Sequence, residues 1–347
     1  MAKVDVVIPC YNYGRFLHAS VASVLEQSVA DLRVLIIDDA SSDDSPAIAR
    51  ACAERDSRVS IVTHARNWGH IRTYNEGIAW ASADYFLLLS ADDMLVGGAL
   101  GRAVSIMDAA PDIVLTHGKC IGWNDEFPLP GPPSQQSDAW SRQDLLGDMC
   151  THGGNLVRTP TAIVRTSAQK AAGGYRTSLP HSADMEMWLR LAARGSVARL
   201  EAVQAIYRKH AGNMSIAYYD RDLPDLLQAK QAFDSFFLEF GAKVPGARLL
   251  QEKATRALAR KAFWRGAVQA CHGRVAAGRA LARLAFELDP GMRHHVPLSD
   301  GPAVFREAWR RMLIRARGAF MRLATGWQRR ARYGARQARR SAGQPRG

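Results

Sequence analysis

The sequence has 347 residues and lacks any run of about eighteen uncharged apolar residues, so no segment qualifies as a membrane-spanning helix. Cysteine is sparse. Cys10, Cys52, Cys120, Cys150 and Cys271 are scattered, and no two stand in Cys-x-x-Cys spacing. That argues against a zinc site or a disulfide framework and for a reducing cytoplasm. Neither Gly-x-Gly-x-x-Gly nor Gly-x-x-x-x-Gly-Lys occurs. A dinucleotide or ATP site built on a glycine-rich helix start is therefore not expected. Met1 to Asp5 runs straight into a strand and does not read as a signal peptide. Acidic residues are scarce at one end only. Residues 303–347 hold 13 Arg, no Lys and a single acid, Glu307, so nearly all of the net charge of +13 sits there.

What is present is an alternation of apolar strands and amphipathic helices. Val4–Cys10 reads as a buried strand ended near Pro9, and Tyr11-Asn12-Tyr13-Gly14 as a turn. A helix with Phe16, Leu17, Val21, Val24 and Leu25 at helical spacing follows. Arg33–Ile37 is a second strand and Val59–Val62 a third, with a helix starting near Ser45-Pro46 between them. A helix over about 71–81 leads to the strand Tyr85–Leu89, and a helix over about 98–109 precedes the strand Ile113–Thr116. Such alternation implies a parallel sheet with right-handed crossovers. Regularity fails between Gly118 and Asn155, where Phe127–Pro133 can hardly be helix or strand. That stretch reads as a surface excursion beside a substrate site. The pattern resumes at Thr161–Val164 and continues with a helix near 183–193. Beyond about Asp222 the pattern is helical as far as Leu288.

Polar loops close the first four strands: Pro9 to Asn12, Asp38-Asp39, Asn67-Trp68-Gly69 and Asp92-Asp93. In an open α/β sheet this rim is where ligands bind. Leu87-Leu88-Leu89 runs directly into Asp92-Asp93, and two adjacent carboxylates repel unless a counter-charge is near. A divalent cation carrying phosphates fits that need. The plainer alternative is that Asp92 caps the next helix, and that Asp38 and Asp39 form a turn.

Taken in order, these stretches resemble a family 2 glycosyltransferase of the GT-A fold. The matching segments are Val6–Asn12, Leu25–Ser28, Ile37–Asp43, Asn67–Gly69, Tyr74–Gly77 and Ser90–Asp93, then Gly174-Tyr175, Asp184–Arg190 and Tyr207–Ser215. The resemblance spans about residues 3–216. It implies an α/β fold, a Rossmann-like, mostly parallel sheet flanked by helices, with an α-helical C-terminal region outside it. It also implies an inverting transferase that uses a nucleotide-sugar donor. Asp39 would accept a hydrogen bond from the base, most often uracil, with Pro9 and Tyr11 packing nearby. Asp38, Asn67 and Gly69 belong to the same binding rim. Asp92 and Asp93 would stand for the metal-binding Asp-x-Asp motif, with Mg²⁺ or Mn²⁺ as the ion. The fullest pattern is Asp-x-Asp-Asp, and Ser90 holds its first position here, which leaves Asp93 as the direct ligand and Asp92 near sugar or ribose. Asp184 would be the general base, although Ala183 replaces the usual Glu before it. Arg208 or His210 would reach the diphosphate, with a solvated basic pair as the even alternative.

Two further readings come from the residues alone. Glu186 lies roughly 200° round the helix from Asp184 and suits an ion pair with Arg190 at i+4. His152 looks functional only by position, and Trp188 reads as core. Near the C-terminus, Phe305, Trp309, Met312, Leu313, Ala316, Phe320, Leu323 and Trp327 share one helical stripe, with arginines on the other face. This describes a helix lying in a membrane interface. The alternatives are a helix docked on residues 222–290 and, third, an arm for nucleic acid.

The domains expected are 1–221 for transfer, 222–302 as helical extension and linker, 303–330 as basic amphipathic helix, and 331–347 as a disordered Arg-rich tail. The function expected is transfer from a nucleotide-diphosphate sugar, in particular a UDP-sugar, to a hydroxyl of a glycan or lipid-linked acceptor in bacterial cell-surface polysaccharide synthesis. The partners are that donor, that acceptor and the inner face of the cell membrane, with no nucleic acid expected. The rivals are an inactive glycan-binding or scaffold homologue and a nucleic-acid-binding protein.

Overall fold

The structure is a computed structural model and describes residues 3–124, 137–213 and 222–293. The expectations for Phe127–Pro133, for the segment beyond Asn213, for the 303–330 helix and for the tail fall outside these residues.

Four parallel strands form the first half of the sheet. β1 (Val4–Cys10), β2 (Leu32–Asp38), β3 (Val59–Thr63) and β4 (Tyr85–Leu88) pair in the order β3-β2-β1-β4. The helices between them are α1 (Gly14–Leu25), α2 (Ser45–Arg55) and α3 (His70–Trp80). After β4 come the short β5 (Met94–Leu95), α4 (Ala99–Ala109) and β6 (Ile113–Asn124). Then follow β7 (Trp140–Gln143), α5 (Leu145–His152), β8 (Ile163–Arg165), α6 (Thr166–Ala172), α7 (Ala183–Ala192) and β9 (Ser196–Lys209). The sheet continues β4-β8-β6-β9-β5, and β7 also pairs with β9. β8 is antiparallel to both its neighbours, so β6 and β9 run the same way as the first four strands. β5 and β7 run against them on the far edge of β9. Six of the nine strands run one way, so the sheet is mostly parallel, while β5, β7 and β8 are reversed where the alternation implied parallel strands throughout.

Burial on both faces explains the continuous apolar runs. Val7, Leu35, Ile37, Phe86 and Leu88 point to one side, Val6, Ile8, Val34, Ile36 and Leu87 to the other, and all are buried. The second set packs against α1, α2 and α4. The first set belongs to a larger cluster with α3, α5 and α7 and with the helices that follow. Those helices are α8 (Asp222–Phe240), α9 (Ala247–Cys271) and α10 (Val275–Leu288). Phe233, Phe236, Phe237 and Phe240 of α8 join Trp188 of α7 in that cluster. Met1–Asp289 is thus one compact body, and the boundary expected at 221 is not a break in packing.

Three local differences from the sequence reading matter. The 118–155 stretch is not a bare excursion. β6 runs on to Asn124, and β7 and α5 follow, all built onto β9 or the lower core. β9 is fourteen residues long and shows no strand signature in sequence, because Ala, Arg, Glu and Gln interrupt its apolar positions. Finally, α4 begins at Ala99 with Gly98 in its cap position, so Asp92 does not cap it.

Candidate active site

The carboxyl ends of β1, β2 and β4 open onto a cavity of about 1100 Å³. Its lining includes Pro9, Tyr11, Asp39, Asn67, Gly69, Asp92, Asp93 and Asp184, so the fold gathers these residues from five separate stretches of chain. Asp38, Arg208 and His210 are not in the lining.

The rim is stitched before any ligand arrives. Asn12 stands at φ 57° and Ala40 at φ 60°, both left-handed. The Asn12 N–H donates to Ser41 Oγ at 2.9 Å, and its side-chain oxygen accepts from the Ser42 N–H at 2.8 Å. The loops after β1 and β2 are therefore tied together. Asp39 ties the third loop to them. Its Oδ1 accepts from the Trp68 N–H at 2.8 Å, and its Oδ2 from the Gly69 N–H at 2.9 Å. Its Oδ1 also lies 2.7 Å from His64 Nδ1, whose other nitrogen meets Glu76 Oε2 at 2.7 Å. Burial alone would lower the His64 pKa, but the bonds to Asp39 and Glu76 raise it. Trp68 stacks on the His64 ring at 4.4 Å and remains 45% exposed, as Tyr11 is at 48%. Two aromatic faces thus stand open beside Asp39. Asp38, by contrast, is fully buried and accepts from the Ser41 N–H at 3.2 Å. It serves the turn and lies outside the cavity lining, unlike Asp39 beside it.

Asp92 and Asp93 follow β4 in a turn closed by the Asp93 N–H to Ser90 O at 3.0 Å. Arg208 and His210, expected on a diphosphate, instead hold this turn from behind. The Arg208 N–H donates to Asp93 Oδ1 at 3.1 Å, and its Nε to Asp92 O at 3.0 Å. The guanidinium is sandwiched between Phe16 and Trp123, at 4.6 and 4.5 Å from the ring centres. His210 Nε2 and Asn213 Nδ2 both reach Asp92 Oδ2, at 3.2 and 3.1 Å. Both side chains already have carboxylate or backbone oxygen to serve, and neither lines the cavity. Asp93 is nonetheless pushed well above the usual carboxylate range, first by burial and then by the charge of Asp92. A hard cation with oxygen ligands would reverse both effects, so this pair suits Mg²⁺ or Mn²⁺. Among the described residues no cluster of three metal-ligating side chains occurs, so a metal here would complete its shell from water or substrate.

Asp184 lies in the first turn of α7 and is half-buried. Its Oδ2 accepts from Asn155 Nδ2 at 2.9 Å and from Thr159 Oγ1 at 3.2 Å, and its Oδ1 from the Met185 N–H at 2.7 Å. Burial raises its pKa against the pull of these donors. Tyr74, which also lines the cavity, feels the charges of Asp92, Asp184 and Asp93 together. Glu186 has the structural role expected of it. It is fully buried and pairs with Arg190 at 2.7 Å and with Arg176 at 2.8 Å. Trp188 is core, at 1% exposure. Asn75 explains two segments at once, since its side chain donates to Tyr175 O at 2.9 Å and accepts the Tyr175 N–H at 2.6 Å.

The sequence reading missed His64, Asn155, Arg158 and Thr159, and the whole wall contributed by α8 and α9. That wall carries Asp225, Leu226, Ala229, Lys261 and Arg265. His152 lines the same side. None of these stands in a motif, and only the fold of the helices back onto the sheet puts them at the cavity.

Comparison with known proteins points to one family. The glycosyl transferase family 2 model matches residues 5–159. An uncharacterised glycosyltransferase of Nostoc sp. is 31% identical over 268 residues, covering 73% of this chain and 82% of the relative. An uncharacterised glycosyltransferase of Haemophilus influenzae is 23% identical, covering 63% of this chain and 69% of the relative. The O-antigen biosynthesis protein RfbC of Myxococcus xanthus is 28% identical over 62% of this chain but only 16% of its own length. Among solved structures, S. aureus TarS 1–349 with UDP-GlcNAc superposes at a TM-score of 0.54 with 17% identity, over 86% of this chain and 95% of that one. The mannosyltransferase PcManGT of Pyrobaculum calidifontis, with GDP-Man and Mn²⁺, gives 0.50 with 16% identity, over 82% and 84%. These likenesses show the fold.

Proposed function

The chain belongs to glycosyl transferase family 2, and from that premise we propose that its cavity moves a sugar, with inversion, from a nucleoside-diphosphate donor to an acceptor hydroxyl. The observation that carries this reading is the placement of two acidic centres on one cavity, Asp92-Asp93 at the sheet rim and Asp184 at the start of α7. In this reading the base of the donor nucleotide lies against Tyr11 at the rim, with Asp39 as acceptor for a base N–H. UDP is the nucleotide favoured, in keeping with the UDP-GlcNAc held by TarS.

Asp184 takes the proton of the acceptor hydroxyl as its oxygen bonds to C1 of the sugar. The C1–O bond to the diphosphate breaks on the opposite side, and the electron pair leaves with the diphosphate. General-base assistance of this kind contributes typically about 10²–10⁴-fold. The raised pKa of Asp184 makes it a stronger base than an exposed aspartate, and Asn155 and Thr159 aim it. Asp93, with Asp92, would hold Mg²⁺ or Mn²⁺, which supplies positive charge for the leaving diphosphate. Arg158 also lines the cavity and exerts its charge on Asp93, so it is a second cation near that end.

The acceptor is a glycan or lipid-linked sugar of a bacterial surface polysaccharide, a reading supported by the relationship to the O-antigen protein. Attachment to a membrane surface through residues 303–330 rests on the Trp- and Arg-bearing stripe in the sequence. The test is a screen of nucleotide sugars against the full chain, with and without Mn²⁺, read by transfer and by thermal shift. Asp184→Asn is expected to keep donor binding and to lose about two orders of magnitude or more in transfer. A wild-type protein that turns over no nucleotide sugar would favour the scaffold reading instead.

A further inference from the structure

The far wall of the cavity has chemistry that the transfer step does not use. Lys261 and Arg265 lie one turn apart on α9 and both line the cavity, with His152 of α5 in the same lining. Arg265 is already neutralised, at 2.6 Å from Asp225 and 3.6 Å from Asp222. Asp225 also binds His181 at 3.2 Å. Lys261 makes no hydrogen bond or ion pair with any described residue, although it is half-buried. Burial, and then the charge of Arg265, bring its pKa down to about 8, with Asp225 opposing. His152 is likewise held toward its neutral form by burial, Lys261 and Arg265.

The position of this ammonium is informative. A methyl group on Gly154 would lie 3.1 Å from Lys261 Nζ. The next residue, Asn155, holds Asp184 Oδ2 at 2.9 Å. The ammonium therefore stands one residue beyond the anchor of the base, on the acceptor side. A lysine usually carries its charge out to water along its flexible stem. This one stays on the wall of a cavity, where Asp225, already paired with Arg265, offsets part of its charge and an incoming anion would balance the rest.

We infer that this wall is a subsite for an anionic acceptor, a sugar or polyol that bears a phosphate or carboxylate near the hydroxyl to be glycosylated, with Lys261 as the cation that receives it. The inference rests on the transferase reading for its word acceptor. A charge-assisted bond to Lys261 would fix the anionic group, and the neighbouring hydroxyl would then lie toward Asp184. Neutral sugars would lack that hold.

The test is calorimetric binding to the full chain with UDP, and separately GDP, saturating the donor end. The probes are glucose, glucose 6-phosphate and glucuronate. The wild type is expected to bind glucose 6-phosphate or glucuronate at least tenfold more tightly than glucose, and whichever anion does so identifies phosphate or carboxylate as the group received. Lys261→Gln and Lys261→Met should bring that ratio to within about twofold, while Lys261→Arg preserves it. Nucleotide affinity should be unchanged in all three, which also shows that the variants fold. Equal affinity for the three probes, no binding of any of them, or a preference that survives Lys261→Gln and Lys261→Met overturns the inference. Since binding is read without turnover, such a result leaves the transferase reading standing. A wild type that selects anions but transfers no sugar fails that reading alone.

Discussion

At the scale of single residues, Asp184 shows two opposed effects. The start of a helix favours a carboxylate through the backbone dipole, and three donors add to that. Burial outweighs them and raises the pKa above the ordinary aspartate value of about 3.9. A base works only when deprotonated, so transfer should rise with pH through this raised pKa and then level. Asn155→Ala removes a bond to the ionised form, so the acid limb of kcat/KM should move to still higher pH. A pH–rate profile of both proteins checks this, and an unmoved limb would argue against Asp184 as the base. Ala40 offers a prediction about stability. A left-handed alanine costs roughly 1–2 kcal/mol. Glycine recovers most of it but loses chain entropy. Ala40→Gly should therefore stabilise by about 0.5–1 kcal/mol and raise Tm by roughly 1–3 °C. Thermal unfolding followed by circular dichroism reads the shift.

At the scale of elements, close approach is the recurring device. Gly77 of α3 lies so near β1 that an added Cβ would meet Val7 Cγ1 at 2.5 Å. Gly77→Ala must push α3 off the sheet, at a cost of about 1–3 kcal/mol. Urea unfolding should show the midpoint falling while the slope stays constant. Because α3 also carries Asn75 and Glu76, donor affinity should weaken in the same variant. The elements also show what sequence can and cannot convey. β1, β2 and β4 were legible because both their faces are buried and apolar runs result. β9 was not, because it takes its place by pairing with β5, β6 and β7, and its alternating polar residues resemble a loop. The same limit explains Arg208 and His210. Their charges suggested a phosphate, but a sequence does not reveal that a strand fourteen residues long delivers them to the back of Asp92 and Asp93. Asp39, Asp92, Asp93 and Asp184 were legible because each closes a recognisable strand or opens a recognisable helix. Lys261 was not, since nothing in the periodicity of α9 says which turn meets a cavity.

At the scale of the whole molecule, charge and core are separated along the chain. Thirteen arginines lie in 303–347, while the buried aromatic side chains of α8 complete the core of the transferase body. Deleting 303–347 should therefore leave the thermal transition and the turnover of a soluble acceptor near wild type. It should abolish co-sedimentation with vesicles containing anionic lipid, since each well-placed cation contributes roughly 1 kcal/mol there. Retained vesicle binding, or a loss confined to RNA or DNA binding, would refute the membrane role. The cavity has a further consequence for how such an enzyme changes over generations. Its sheet rim is laced by bonds from backbone N–H groups to side-chain oxygens among Asn12, Ser41, Ser42, Asp39 and Gly69, where one exchange disturbs several partners. Its opposite wall is a row of side chains on two helices, held by side-chain ion pairs such as Arg265 with Asp225 and Asp222 rather than by bonds to loop backbone. Mutations can accumulate on that wall and redirect the enzyme to a new acceptor while the old nucleotide sugar is still accepted, so a library randomised at Ala229, Lys261 and Arg265 is the economical place to look for altered products.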